Sequence, residues 1–175
     1  MWLCRQRKGP SMECSFASYQ IAEMASAMER EGNRFYQQLA DFSTDEAVKE
    51  LFLYLAKAEK KHEQDFLSIA QDTKASEEIY EYHVNIAEMM KSGINKLKKV
   101  IINPASADQQ IDIPQALEIA INAEKLAVEV YTEILEAYSE RFSKTLKKII
   151  AQENSHLKRI KNLRQTLLPD PGRLF

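Results

Sequence analysis

The sequence predicts an all-α protein: a four-helix bundle made of two helical hairpins, joined by one long crossover that carries an additional helix. Three observations predict it. Glycine and proline are scarce, four and five in 175 residues, while Leu, Ala, Glu, Lys and Ile dominate. Four long segments place apolar residues three and four apart, which keeps them on one helix face. The second half of the chain also repeats the pattern of the first, down to particular side chains.

Residues 1–16 read as a loose N-terminal segment. It carries positive charge but no apolar run follows, so it is unlike a secretory signal. The first long helix spans residues 17–42, with Ala22, Ala25, Glu29, Gly32, Tyr36 and Leu39 on one stripe. Ser43 or Thr44 is expected to cap the second helix, over residues 45–71, whose stripe is Val48, Phe52, Leu55, Glu59, His62, Phe66 and Ile69. Residues 77–92 read as the extra helix of the crossover, and residues 103–108 as its clearest loop. Asp112 with Pro114 starts the third long helix, which runs to about residue 139 through Leu117, Ala120, Glu124, Ala127, Tyr131 and Ile134. The fourth, residues 141–167, carries Leu146, Ile149, Glu153, His156, Ile160 and Leu163 on its stripe. Residues 17–168 thus form the bundle, and 169–175 a short tail. Short connections make each hairpin antiparallel, and the long stretch between them is the single crossover of such a bundle.

Composition excludes several functions. The formal net charge is −2 with both signs interspersed, which gives no nucleic-acid footprint and no polybasic membrane patch. No apolar run is long enough to span a bilayer. Two cysteines, Cys4 and Cys14, supply neither a disulfide framework nor a four-thiolate metal site. The expected compartment is the cytoplasm.

The chemistry lies in residues that interrupt the apolar stripes. A buried, unpaired carboxylate costs several kcal/mol or takes up a proton. Yet each of the four stripes carries one, at Glu29, Glu59, Glu124 and Glu153. Two also carry a histidine one turn on, His62 and His156, where the spacing calls for another apolar residue. Positions i and i+3 share a helix face, so Glu59 with His62, and Glu153 with His156, can each grip one ion. Glu29 and Glu124 can then bridge the ions or cap them. Oxygen and imidazole donors without thiolates suit iron, with manganese or a mixed pair also compatible. One Glu-x-x-His means little, since Glu is common. Two of them among three histidines, each about thirty residues after a Glu on the preceding helix, form a pattern. Tyr36 and Tyr131 follow Glu29 and Glu124 by seven residues, two turns on the same face, where a phenol can donate to a ligand carboxylate on a neighbouring helix. Glu31, Glu63, Glu129, Glu133 and Glu136 lie off the stripes and read as solvated, with Glu63 and Glu129 near enough to support the ligands. His83, on the crossover without a paired Glu, reads as structural or exposed.

This arrangement resembles the ferritin-like superfamily of di-iron carboxylate proteins. The run from Met28 to Tyr36 (MEREGNRFY) and Ala58 to His62 (AEKKH) resembles more narrowly its rubrerythrin branch. The resemblance covers roughly residues 17–167 and implies two iron ions held by Glu29, Glu59, His62, Glu124, Glu153 and His156. It implies a non-haem oxidoreductase that oxidises Fe(II) or reduces O2 or peroxide, in oxidative-stress or iron handling, with no catalytic side chain beyond the metal ligands. Rubrerythrins proper carry a C-terminal rubredoxin domain. This sequence stops at Phe175 without the cysteines for one, so the electron donor is expected to be a separate protein. Rubrerythrins also carry an extra glutamate three residues after the third-helix ligand. That position here is Ala127, which brings the ligand set closer to that of ferritins and bacterioferritins. A homodimer is expected. The alternative is a non-catalytic metal-binding or assembly module whose metal pair is structural.

Overall fold

A computed structural model describes residues 3–5, 13–74, 79–81, 88–95, 112–137 and 140–168. Two short strands, β1 (Leu3–Arg5) and β2 (Glu13–Ala17), precede the first hairpin, α1 (Ser18–Phe42) and α2 (Glu46–Lys74). The crossover contributes strand β3 (Ile79–Glu81) and a helix, α3, over residues 88–95. The second hairpin is α4 (Ile113–Ala137) and α5 (Glu140–Leu167). α1 packs along α2 and α4 along α5, while α2 also meets α5, so the two hairpins close one bundle. Among the described residues no helix is long and apolar enough to cross a membrane.

Side-chain oxygens set the helix starts. Asp45 Oδ1 accepts from the Val48 amide at 3.0 Å, and Asp112 Oδ1 from the Gln115 amide at 2.8 Å. Each satisfies an amide that the helix leaves without an internal partner. The cap of α2 is therefore Asp45, not Ser43 or Thr44; Ser43 instead donates through Oγ to the Asp45 carbonyl. Asp45→Ala is expected to cost about 1 kcal/mol. A chain of this size should then melt roughly 2–4 °C lower, which calorimetry can check. An unchanged midpoint would mean that water caps the helix equally well.

Two regions differ from the sequence expectation. Residues within 1–16 are not all loose: β1 and β2 pair antiparallel, with Cys4 opposite Cys14, and β2 pairs with β3 so that Phe16 lies opposite Tyr80. The start of the expected crossover helix is this third strand, because Ile79 and Tyr80 suit a pleated ladder once β2 offers an edge. The described part of the crossover helix, α3, covers residues 88–95. His83, Lys96 to Lys99, the loop at 103–108 and the tail at 169–175 lie outside the described residues.

The core forms two apolar plugs. One gathers Ile21, Ala25, Met28, Phe66, Val130, Ile134, Leu146 and Ile149, with Met90 of α3 fully buried among them. The other gathers Phe35, Leu39, Val48, Phe52, Leu55, Leu117, Ala120 and Ile160. Each long helix contributes to both, because its stripe runs apolar, then acidic, then apolar. The polar middle of every stripe is thereby held between two water-excluding layers.

Candidate metal centre

The six stripe-breaking residues meet in that middle layer. Glu29, Glu59, His62, Glu124, Glu153 and His156 are all buried, with His62 and Glu153 wholly inaccessible. Donor atoms of Glu29, Glu59, His62 and Glu153 lie within 4.8 Å of one another, and so do those of Glu59, Glu124, Glu153 and His156. Glu59 and Glu153 belong to both groups, whereas Glu29 and Glu124 belong to one each. Spacing had left Glu29 and Glu124 free to bridge or to cap. The structure instead makes the carboxylates of the two Glu-x-x-His helices the shared ones, since α2 and α5 face each other across the bundle.

The histidines face this set symmetrically. His62 Nδ1 lies 2.7 Å from Glu153 Oε1, 3.4 Å from Glu59 Oε2 and 3.8 Å from Glu29 Oε2. His156 Nδ1 lies 3.0 Å from Glu153 Oε2, 3.6 Å from Glu124 Oε2 and 3.7 Å from Glu59 Oε1. The two rings stand 5.8 Å apart, nearly parallel. Despite the 2.7 Å approach, His62 Nδ1 and Glu153 Oε1 have no hydrogen-bond partner of acceptable geometry among the described residues, and neither has His62 Nε2. His156 Nδ1 does pair with Glu153 Oε2, but His62 and Glu153 Oε1 stay close without bonding, and such orphaned atoms in a mixed oxygen and imidazole set fit a divalent ion of the iron or manganese kind.

Tyr36 and Tyr131 link the hairpins crosswise. Tyr36 donates its phenol to Glu124 Oε1 at 2.5 Å, and Tyr131 donates to Glu29 Oε1. Each phenol thus fixes the carboxylate of the opposite outer helix. Burial, then the Glu124 charge, pushes the Tyr36 phenol well up; burial and Glu29 do the same for Tyr131, so both stay protonated donors. Tyr36→Phe leaves Glu124 Oε1 without its donor and should weaken metal binding on the His156 side roughly 10- to 100-fold. Competitive titration against a chelator measures it, and an unchanged affinity would make the phenol a packing residue only.

The electrostatics describe the metal-free cluster. Burial raises Glu59, helped by Glu153 and Glu29. Burial takes Glu124 up to about 8 against the hydrogen bond from His156. Burial also acts to raise Glu153, but the two imidazoles outweigh it and hold this carboxylate down at about 2. For His156 burial favours the neutral ring, yet Glu124 and Glu153 lift it to about 9. His62 is raised further, with Glu153, Glu29 and Glu59 overcoming burial. In the metal-free cluster the two imidazoles and the carboxylates around them therefore favour each other's charged forms.

Several features were not legible in the sequence. Glu31 and Glu63 are buried, not solvated. Glu63 accepts from Arg30 at 2.8 Å and Lys60 at 2.7 Å; burial raises it, but these two cations hold it below the usual carboxylate range. Tyr54, half-exposed on α2, meets the His156 ring edge-on at 5.8 Å and carries the Arg159 guanidinium 4.6 Å above its face. Helical periodicity places Tyr54 facing outward and gives no sign of this contact. Glu129 and Ala127 border a cavity beside the cluster, described below, and neither joins the donor groups.

A four-helix bundle with one long crossover, holding a buried Glu/His cluster between apolar plugs, defines the class of ferritin-like di-iron carboxylate folds. The model of the rubrerythrin family matches residues 20–164, and the chain belongs to that family. Among solved structures it is similar to a protein from Thermotoga maritima described as ferritin-like and diiron-carboxylate, at 24% identity and a TM-score of 0.61, covering 86% of this chain and 95% of that one. No curated protein matches.

Proposed function

We infer that the chain is a non-haem di-iron oxidoreductase of the cytoplasm. In this reading it oxidises Fe(II), or reduces O2 or peroxide, with a separate protein as electron donor and a homodimer as the working form. The observation that carries it is the pair of donor groups sharing Glu59 and Glu153. Glu29 with His62 would complete one position, and Glu124 with His156 the other. A bound iron pair supplies two-electron redox chemistry toward O2 or peroxide. The chain's own residues do the rest. Tyr36 and Tyr131 hold Glu124 and Glu29 in place and keep the outer carboxylates from turning away. The two apolar plugs exclude water along the bundle axis, which strengthens every charge interaction between them.

Elemental analysis of protein from iron-replete cells should find about two metal ions per chain. The Fe(II)-loaded protein should consume O2 or peroxide faster than free Fe(II) under the same conditions. One zinc per chain, or no uptake of Fe(II), sinks the metal-centre reading. Two tightly held ions with no oxidant consumption would instead favour a structural metal module.

A further inference from the structure

Between α1 and α4 lies a cavity of about 480 Å³. Its polar end is the cluster itself, where Glu29, Glu59, Glu124 and the two phenols border it. Its walls are mostly apolar, built by Met28 of α1 and Ile119, Ala123, Leu126 and Ala127 of α4, with Asn122, Lys125 and Glu129 of α4 also on the lining. α3 covers it through Gly93. A Cβ there would stand 2.6 Å from Leu126 Cδ2, so the missing side chain lets α3 approach α4 without displacing the wall.

Size decides what the space is for. A water molecule takes about 30 Å³, so an oxidant of two heavy atoms needs on the order of 60 Å³. The cavity of about 480 Å³ is several times that and falls among pockets that hold small organic ligands. Protein interiors are otherwise close-packed, and here α4 lines the space with small side chains, Ala123 and Ala127, rather than filling it. Carboxylates at the polar end accept hydrogen bonds and repel anions, and a cation would have to give up its hydration against mostly apolar walls, which together favour a neutral head group with a hydrogen to donate.

We propose that this cavity binds an uncharged organic molecule with a hydrocarbon body and one hydroxyl-type head, the body along α4 and the head beside Glu29 and Glu124. The inference rests on the proposed metal centre only for what lies next to the head group. The hydrocarbon site belongs to the protein with or without metal.

Octanol and ethanol serve as probes, titrated calorimetrically into metal-free and metal-loaded wild type and into Ala127→Leu and Ala123→Phe, which fill the cavity from two positions. Octanol should bind both forms of the wild type saturably and ethanol should not. Each variant that still melts cooperatively should bind octanol at least tenfold more weakly. Absence of saturable octanol binding to folded wild type, as when the chain's own crossover fills the space, overturns the proposal. So does undiminished binding in a folded variant. Octanol binding by a protein that takes up no metal would keep this inference and sink the proposed function. Metal uptake without octanol binding would do the reverse.

Discussion

Glu153→Ala should empty both metal positions, while Glu29→Ala should leave one filled. Glu153 and Glu59 each stand in both donor groups, so losing either removes an oxygen from both ions at once. Glu29 serves only the group of His62, and Glu124 only that of His156. From about two ions per chain, the content should fall toward none in Glu59→Ala and Glu153→Ala, and toward about one in Glu29→Ala, Glu124→Ala, His62→Ala and His156→Ala. Elemental analysis after gel filtration reads this directly. Equal losses in Glu29→Ala and Glu153→Ala would show that the carboxylates are not shared as the structure places them.

The metal-free protein should lose stability as pH rises from about 6 to 9, whereas the metal-loaded form should change much less. Glu124 is raised from 4.5 to about 8, and His156 from 6.5 to about 9. A group whose folded pKa is raised contributes fully below its unfolded pKa and loses that contribution as pH climbs through the folded value. Between pH 6.5 and 8 both groups lose ground together, each by up to about 1.4 kcal/mol per pH unit. That is roughly 3–6 °C of melting temperature per pH unit for each proton. Glu153 runs the other way. It is held at about 2 rather than 4.5, so its contribution is present above 4.5 and lost as pH falls toward 2. The metal-free protein should therefore be most stable in mildly acidic solution. Metal binding displaces the same protons and so grows tighter as pH rises. Glu124→Gln mimics the neutral acid. It should change little in the metal-free protein at pH 6, stabilise it at pH 9 and weaken metal binding. Melts with and without Fe(II) across this range test all three. A metal-free protein whose melting point climbs from pH 6.5 to 9 would show that these groups do not hold their protons in the fold.

How much of this was legible beforehand follows from what kind of information periodicity carries. The fold, the inward direction of the six site residues and the grouping of each histidine with the Glu one turn before it are local properties. A 3.6-residue repeat fixes which side of a helix a residue occupies, whatever that helix later packs against. Tyr36 and Tyr131 were placed by the same reasoning, two turns beyond Glu29 and Glu124. Nothing in the spacing says which helix each inward residue will face. That α2 meets α5, and so makes Glu59 and Glu153 the carboxylates common to both groups, was settled by the docking of two hairpins. The same docking set Tyr54 against His156 and opened the cavity between α1 and α4, where Gly93 of α3 meets Leu126. Packing of α1 on α2 within the first hairpin placed Arg30 over Glu63 and left that residue buried rather than solvated. Pairing with the edge of β2 made a strand of Ile79–Glu81. The sequence by itself determined the four amphipathic helices and the chemistry each carries inward. Only the tertiary structure decided which of those groups meet, since contact between distant segments depends on how whole faces pack and not on the order of residues along one of them.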